Sequence, residues 1–490
     1  MQRAVLSVAR AVKPPLTMMD KDSPSNDQPH LSSSTGSKSL LEVETSSPPS
    51  EVPQVLEVPD GGRDAWLTVI GAWFVLFGAF GYLYAFGVYQ DFYTRVYLTN
   101  HTPSSIAWIG SFQLMMPFAL GIVSGKLFDE GYFHIVQIIG GVLFTFSLFM
   151  LSLAKPDQYY QIFLSQGLGM GIGLGLIFVP SVGIMVHHFK RRKGLASGIA
   201  LSGSSVGSVI FPIMLNHLIP SVGFAQAVRA TAYLVLGTIT VGNCLMRTRL
   251  PPRRKRIPRS PPPDIKSFLK DPPYMWAVLG ALIASLGFYF PVIYLQLYST
   301  LHSVDGNLAF YSLAIMNGAS AVGRVLGNYL SDLYGPFNVQ FPCTVAIGAL
   351  IWAMLGVNDS GSLIAVSVLY GIFSGAWLAL AFACFTGLSS GPEEVGARTG
   401  LGLALSSVGS LVAAPIQGQL LTPHFIWIRP IAFSAVRTIY RFVRKLCVFL
   451  RDANPPEQEI FFSTGLKSLP QIREEAYGKM ENMFMVGRVP

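Results

Sequence analysis

From Trp66 onward the chain is a succession of apolar runs, each roughly 20 residues long and separated by short polar loops. A run of that length crosses the ~30 Å hydrocarbon core of a bilayer as a helix. Lipid offers no partner for amides and carbonyls, so a lipid-exposed run must satisfy its own backbone, and a helix does so. The runs fall near 66–90, 105–127, 135–154, 160–186, 194–218 and 224–246, then near 274–299, 307–330, 337–357, 362–386 and 398–421. A twelfth is expected near 425–447. Composition agrees: 51% of the residues are hydrophobic and 12% charged, about half the charged share of a soluble domain. The net charge of +9 sits in loops between apolar runs, the pattern of membrane orientation and not of nucleic-acid binding. The reading is an all-α integral membrane protein whose surroundings are a lipid bilayer.

Loop charge sets the orientation. With the N-terminus in the cytoplasm, the loops on that side hold Lys126, Lys190, Arg191, Arg192, Lys193, nine Lys/Arg between Arg247 and Lys270, and Arg398. The opposite side has Arg95 and Lys155. Basic loops are retained in the cytoplasm, so the expectation is N-terminus inside, with the plasma membrane as the default because no retention signal is visible. The expected divisions are a Ser/Pro-rich disordered tail at 1–59, a six-helix bundle at 60–246, a basic Pro-rich cytoplasmic linker at 247–273, a second bundle at 274–447 and a tail at 448–490. The first residues carry Arg3, Arg10 and Lys13 and no acid, which weakly resembles a targeting helix. A plain tail extension ahead of a start at Met18 or Met19 is the preferred alternative.

The halves repeat. Gly198, Ser204, Ser205, Val206, Gly207 and Ser208 match Gly400, Ser406, Ser407, Val408, Gly409 and Ser410 at a constant offset of 202. The loops after runs two and eight share Gly-x-Leu-x-Asp, as Gly125, Leu127 and Asp129, then more loosely as Gly327, Leu330 and Asp332. An acid at a helix end can lock neighbouring helix termini, and glycine permits the tight turn beside it. A same-sense repeat joined by a linker describes two six-helix bundles related by an axis along the membrane normal, with substrate between them and transport by rocking.

These loop motifs resemble the major facilitator superfamily, and two further pieces narrow the resemblance to the monocarboxylate transporters in their fungal branch. Asp60-Gly61-Gly62-Arg63-Asp64-Ala65-Trp66 leads into span one, and His188-Phe189-Lys190-Arg191-Arg192-Lys193-Gly194-Leu195-Ala196-Ser197-Gly198 leads into span five. The resemblance covers about 60–435. It implies passive or proton-linked movement of a small monocarboxylate, and it makes Asp60, Asp129, Arg191, Arg192 and Asp332 the candidates for conformational gating. Two departures bear on the substrate. Lactate carriers of this family have a lysine in span one just after Tyr-Ala-Phe, where Tyr84-Ala85-Phe86 is followed here by Gly87-Val88. They also have an acid one turn before the span-eight arginine, where this chain has Ser320. The span-four arginine of proton-driven drug antiporters is replaced by Phe163 ahead of Gln166-Gly167, which weighs against drug efflux.

Arg324 is the leading substrate residue. A cation so deep in a span is costly and turns to a cavity and a partner, and its fork suits a carboxylate. The alternative is a packing residue bonded to carbonyls near the cytoplasmic end. Tyr84, Gln113, Gln166, Tyr289, Tyr294, Asn317 and Trp377 are further candidates to line the cavity, each with interhelical bonding as the alternative. Arg229 reads as a residue snorkelling to the interface. No prosthetic group or metal is implied. Cys244, Cys343, Cys384 and Cys447 fall in or beside apolar runs and form no CxxC, which argues against a zinc cluster and a disulfide scaffold. The glycines of Gly167–Gly175 follow no strand and precede no Lys-Ser/Thr, so they are packing residues and not a phosphate loop. Pro117, Pro180, Pro212, Pro291 and Pro415 are expected to kink their spans. Near the C-terminus, Arg437, Arg441, Arg444 and Lys445 crowd the twelfth run, at ~2.5–3.5 kcal/mol each in lipid. A lost frame or splice near 435, or a basic helix lying on the membrane, would each account for them. The rival readings are a carrier of another solute class, such as a vitamin, polyol or drug-like compound, and a sensor or inactive paralogue.

Overall fold

A computed structural model describes residues 60–249, 265–302, 306–389, 394–421 and 426–435. Eleven long helices run through them. They are α1 (Arg63–Tyr97), α2 (Ser104–Asp129), α3 (Phe133–Leu151), α4 (Tyr159–His187), α5 (Lys193–Val222), α6 (Phe224–Leu245), α7 (Pro272–Leu301), α8 (Gly306–Tyr334), α9 (Pro336–Gly356), α10 (Ser360–Gly387) and α11 (Val395–Leu421). All but α8 are long and apolar enough to cross a membrane. The 29-residue α8 has the length and carries Asn317, Arg324 and Asn328. The expected eleven runs are therefore eleven helices, and no strand occurs among the described residues. The twelfth run is helical over 428–435, and its remainder lies outside the described residues, as do the two tails and 250–264 of the linker.

The repeat in sequence is a repeat in backbone. Gly131, after α2, has φ 94°, and Gly335, after α8, has φ 87°. Only glycine holds such angles without strain, so the two Gly…Asp…Gly motifs close the same tight turn. Proline acts unevenly. α2 breaks at Leu120, just past Pro117, and α7 breaks at Tyr289, just before Pro291. The helix Lys193–Val222, by contrast, continues through Pro212 and Pro220. α1 breaks at Tyr84–Ala85 with no proline at all.

One face of each helix is buried against its bundle. The first bundle is cored by Phe80, Tyr82, Phe144 and Phe211, the second by Phe288, Phe290, Tyr370 and Trp377. The outward faces stay apolar. Ile135, Ile138, Ile139, Val142 and Phe146 of α3 are all exposed at helical spacing, as a lipid-facing stripe requires. α5 against α8 and α2 against α11 join the halves along two seams.

Candidate functional site

The last turn of α2, with Lys126, and the Lys190–Lys193 lead into α5 lie at one end of the molecule, here called the basic face. Both seams are closed there. Asp129, at the end of α2, accepts hydrogen bonds from the amides of Gly396 (3.0 Å) and Ala397 (2.8 Å) in the first turn of α11. Asp332, near the end of α8, accepts from Gly194 and Leu195 (both 2.8 Å) in the first turn of α5. The donor pairs are again 202 residues apart. A helix start leaves its first amides unpaired and carries partial positive charge, so a carboxylate fits both needs. Asp60 works within the first half. It accepts from the amides of Lys190 and Arg191, each at 2.5 Å. Burial pushes its carboxyl up, but the amide bonds from Arg191, Lys190 and Arg192 prevail and hold it below the usual carboxylate range. Of Arg191 and Arg192, the backbone is engaged here and the side chains are exposed.

Deeper along the α5–α8 seam lies Arg324, 3% exposed. Its Nη1 donates to the Leu201 carbonyl (2.9 Å) and to the Ser204 hydroxyl, both on α5. The guanidinium also hydrogen-bonds Tyr84, at the break in α1. Tyr289, at the break in α7, stands within electrostatic reach of both Tyr84 and Arg324 and hydrogen-bonds Ser410 of α11. Ser320 pairs with Ser205 across the seam at 3.2 Å, and Asn328 donates to the Arg324 carbonyl at 2.9 Å. These described partners of the guanidinium are all neutral, and Nε has none.

The other sequence candidates separate. Tyr84 and Tyr289 converge on Arg324. Gln166 accepts from Tyr93 at 2.7 Å inside the first bundle, and Trp377 donates to Thr344 at 3.0 Å inside the second. Both are occupied away from the guanidinium, in the interhelical role that was their alternative. Gln113 is 1% exposed, and neither of its amide atoms has a partner among the described residues. Tyr294 and Asn317 are half-buried on α7 and α8, about one and two turns from Tyr289 and Arg324 towards the far face. Arg229 reaches Ser152 at 3.2 Å.

Two features escaped the sequence. Ser204 and Ser205 stood out as a repeat, with nothing to mark them as partners of α8. Arg398 looked like one more basic loop residue. It pairs with Asp271 (3.0 Å) and Glu394 (3.9 Å), and lies over the Phe268 ring at 4.8 Å. It thereby ties the short helix Ile265–Lys270 to the α11 turn that Asp129 grips.

Two helical bundles meeting along paired seams, with a buried cation between them, define the architecture of a facilitator-type membrane transporter. The chain belongs to the Major Facilitator Superfamily, whose profile matches residues 67–357. It is 37% identical over 383 residues to the MFS-type transporter dbaD of Emericella nidulans, covering 78% of this chain and 85% of that one. It is likewise 37% identical over 388 residues to the aspyridones efflux protein apdF of the same organism, covering 79% and 78%. Among solved structures, the E. coli fucose:proton symporter FucP superposes with a TM-score of 0.61 at 15% identity, over 80% of this chain and 100% of that one. The chain is thus an integral, multi-pass membrane transporter.

Proposed function

We propose that this transporter moves an organic anion, a monocarboxylate in its simplest form, by rocker-switch alternating access, with Arg324 as the charge partner. One observation carries the reading. A guanidinium 3% exposed lies between the bundles with neutral described partners. A cation so buried calls for an anion, and a transported carboxylate supplies one. Tyr84 and Tyr289 add hydroxyls beside it. The leads into α1 and α5 resemble those of monocarboxylate transporters, which supports the same substrate class.

The basic face is the cytoplasmic face on the strength of its loop charge, with the N-terminus inside and the plasma membrane as the working location. The efflux role in the name of one relative supports outward movement. The missing arginine in α4 argues against one kind of proton-driven antiporter and not against efflux as such. Protons are the candidate coupling ion, but no acid is among the described partners of Arg324, and Ser320 stands one turn away. Transport is therefore expected to follow the ionisation of the substrate alone between pH 5 and 7.

The test is movement of labelled pyruvate and benzoate in transporter-deficient yeast, with insertion of the protein verified in the same cells. Arg324→Ala should cut the saturable flux by tenfold or more, from the loss of a charged partner at about 1.5–3 kcal/mol. Arg324→Lys should fall between, since it keeps charge and loses the fork. Flux in Arg324→Ala equal to the parent would end the charge-partner reading. Inserted protein that moves neither acid would favour a non-carboxylate solute.

A further inference from the structure

We infer that Ser204 and the Leu201 carbonyl of α5 compete with the transported anion for Arg324, so that closure of the basic face strips the anion from its charge partner. The inference rests on the reading of Arg324 as that partner.

The argument is one of available hydrogens. A guanidinium has five N–H donors in a rigid fork, and a carboxylate takes two along one edge. Here Nη1 spends its donors on α5, and Nε is sealed from solvent without a partner. Nη1 is therefore taken up by α5, the Tyr84 hydroxyl takes a further bond of the guanidinium, and Nε is closed off from solvent. Both α5 acceptors belong to the opposite bundle, so they exist for Arg324 only while the seam is shut. The seam is shut tightly. A Cβ at Gly198 or Gly194 would meet the α8 backbone at 2.6 Å.

When the basic face opens, α5 leaves with its bundle. Arg324 then loses both α5 acceptors, and its Nη1 donors are free for an anion arriving from that side. A ligand that binds one state better shifts the protein towards it. The anion therefore binds more tightly with the basic face open, and the empty protein prefers that face closed. That order of affinities suits export, with capture from the cytoplasm and release on closure. No acid is among the described partners of Arg324, so an internal carboxylate does not take the anion's place there. Ser320 joins the seam through Ser205.

The test uses the full chain in nanodiscs and in sealed vesicles. Hydrogen exchange of the amides at 193–198 reads opening of the seam without any ligand. Ser204→Ala should raise that exchange about tenfold and Arg324→Gln by more, each removing a cross-seam bond to a charged group. Saturating benzoate should raise it in the parent and not in Arg324→Gln. In vesicles of either sidedness, half-saturation by benzoate should be lower from the basic face than from the far face, and Ser204→Ala should narrow that ratio about tenfold by improving binding from the far face. Ser204→Cys, a near-isostere with a weak acceptor, should fall between. Unchanged exchange in Ser204→Ala, no benzoate response in the parent, or a sided ratio that Ser204→Ala leaves alone would each overturn the competition. Flux lost in Arg324→Ala with exchange unchanged in Ser204→Ala would keep the transport reading and remove only this inference. Parental flux in Arg324→Ala would remove both.

Discussion

The α5–α8 seam and the α2–α11 seam come from one repeat and close by different chemistry. On α8, Ser320, Arg324, Asn328 and Asp332 recur every fourth residue, so they share one face. Ser320, Arg324 and Asp332 bond to α5, and Asn328 packs against its Gly198. Asp129 and Asp332 set the offset between α2 and α8 at 203, so the α2 positions matching Arg324 and Asn328 hold Gly121 and Gly125. There the helices touch through glycine, Gly121 against Gly400 and Gly125 against Gly396. Only the last rung is shared, an aspartate on the first amides of the facing helix. The difference assigns roles. A seam of glycines costs little hydrogen bonding to open. A seam holding a buried guanidinium leaves that cation unpaired when it opens, so opening there favours an anion.

The largest expected effect breaks the steric side. A Cβ at Gly400 would lie well inside contact distance of the Gly121 carbonyl oxygen, and backbone cannot swing away as a side chain can. Gly400→Val should hold the basic face open and reduce flux by about a hundredfold, the scale of two lost decades or ~2.7 kcal/mol, while the protein still inserts. Normal exchange protection at 395–400 together with normal flux would show that close glycine packing is not what this seam needs.

The shared rung gives the next test. Asp129→Ala and Asp332→Ala each strand two amides at a helix start, a loss of about 2–3 kcal/mol from the closed state. Asp129 is 7% exposed and Asp332 more open, so Asp129→Ala should raise exchange in its facing turn more than Asp332→Ala does. Equal effects would mean that the α5–α8 seam leans on its aspartate as heavily as the glycine seam does, despite its further polar contacts.

The rung was legible because its signal is local: an acid at a helix end, twice, at nearly the same offset. The eleven helices were legible because lipid demands length and apolarity of each run separately. Arg324 was legible because a cation in a span is conspicuous. What surrounds it was not, since Tyr84, Tyr289 and Ser204 are unremarkable one by one and gather through helix breaks and a crossing between bundles. Gln166 and Trp377 show the converse. Polar groups in a span look like cavity residues until a partner such as Tyr93 or Thr344 takes them up. Pro212 likewise leaves the helix Lys193–Val222 unbroken, whereas α1 breaks at Tyr84–Ala85 with no proline to announce it.

Arg398 sharpens the comparison at smaller scale. It braces the α11 turn from the linker side through Asp271 and Phe268. Its equivalent in the α5 turn is Ala196, which offers no such contact. Arg398→Met should destabilise the α2–α11 seam by about 1–2 kcal/mol, from a partly exposed ion pair and a cation–π contact. Exchange at 395–400 should rise and exchange at 193–198 should not. A rise at both would mean that the linker braces the whole basic face.

The first half has a brace of its own, and it titrates. His188 lies beside the α5 lead, and its Nε2 is 2.7 Å from the Arg247 carbonyl, so that nitrogen carries the proton. Nδ1 is buried without a partner, leaving a second proton no acceptor. Burial pushes the His188 pKa down, and the Arg247 carbonyl bond only partly restores it. The unfolded chain, with an ordinary value near 6.5, therefore binds the proton more readily than the folded one. Stability from this group is complete above that value and is lost as pH falls towards the lowered one, by at most about 1.4 kcal/mol per pH unit. Exchange at 188–194 should rise modestly between pH 7 and pH 5.5, while the 395–400 turn, held by Arg398, should stay level over the same range. His188→Gln, which keeps a donor for Arg247 and cannot take the proton, should flatten the response. A response of equal size in both turns would place the titrating group elsewhere on the basic face.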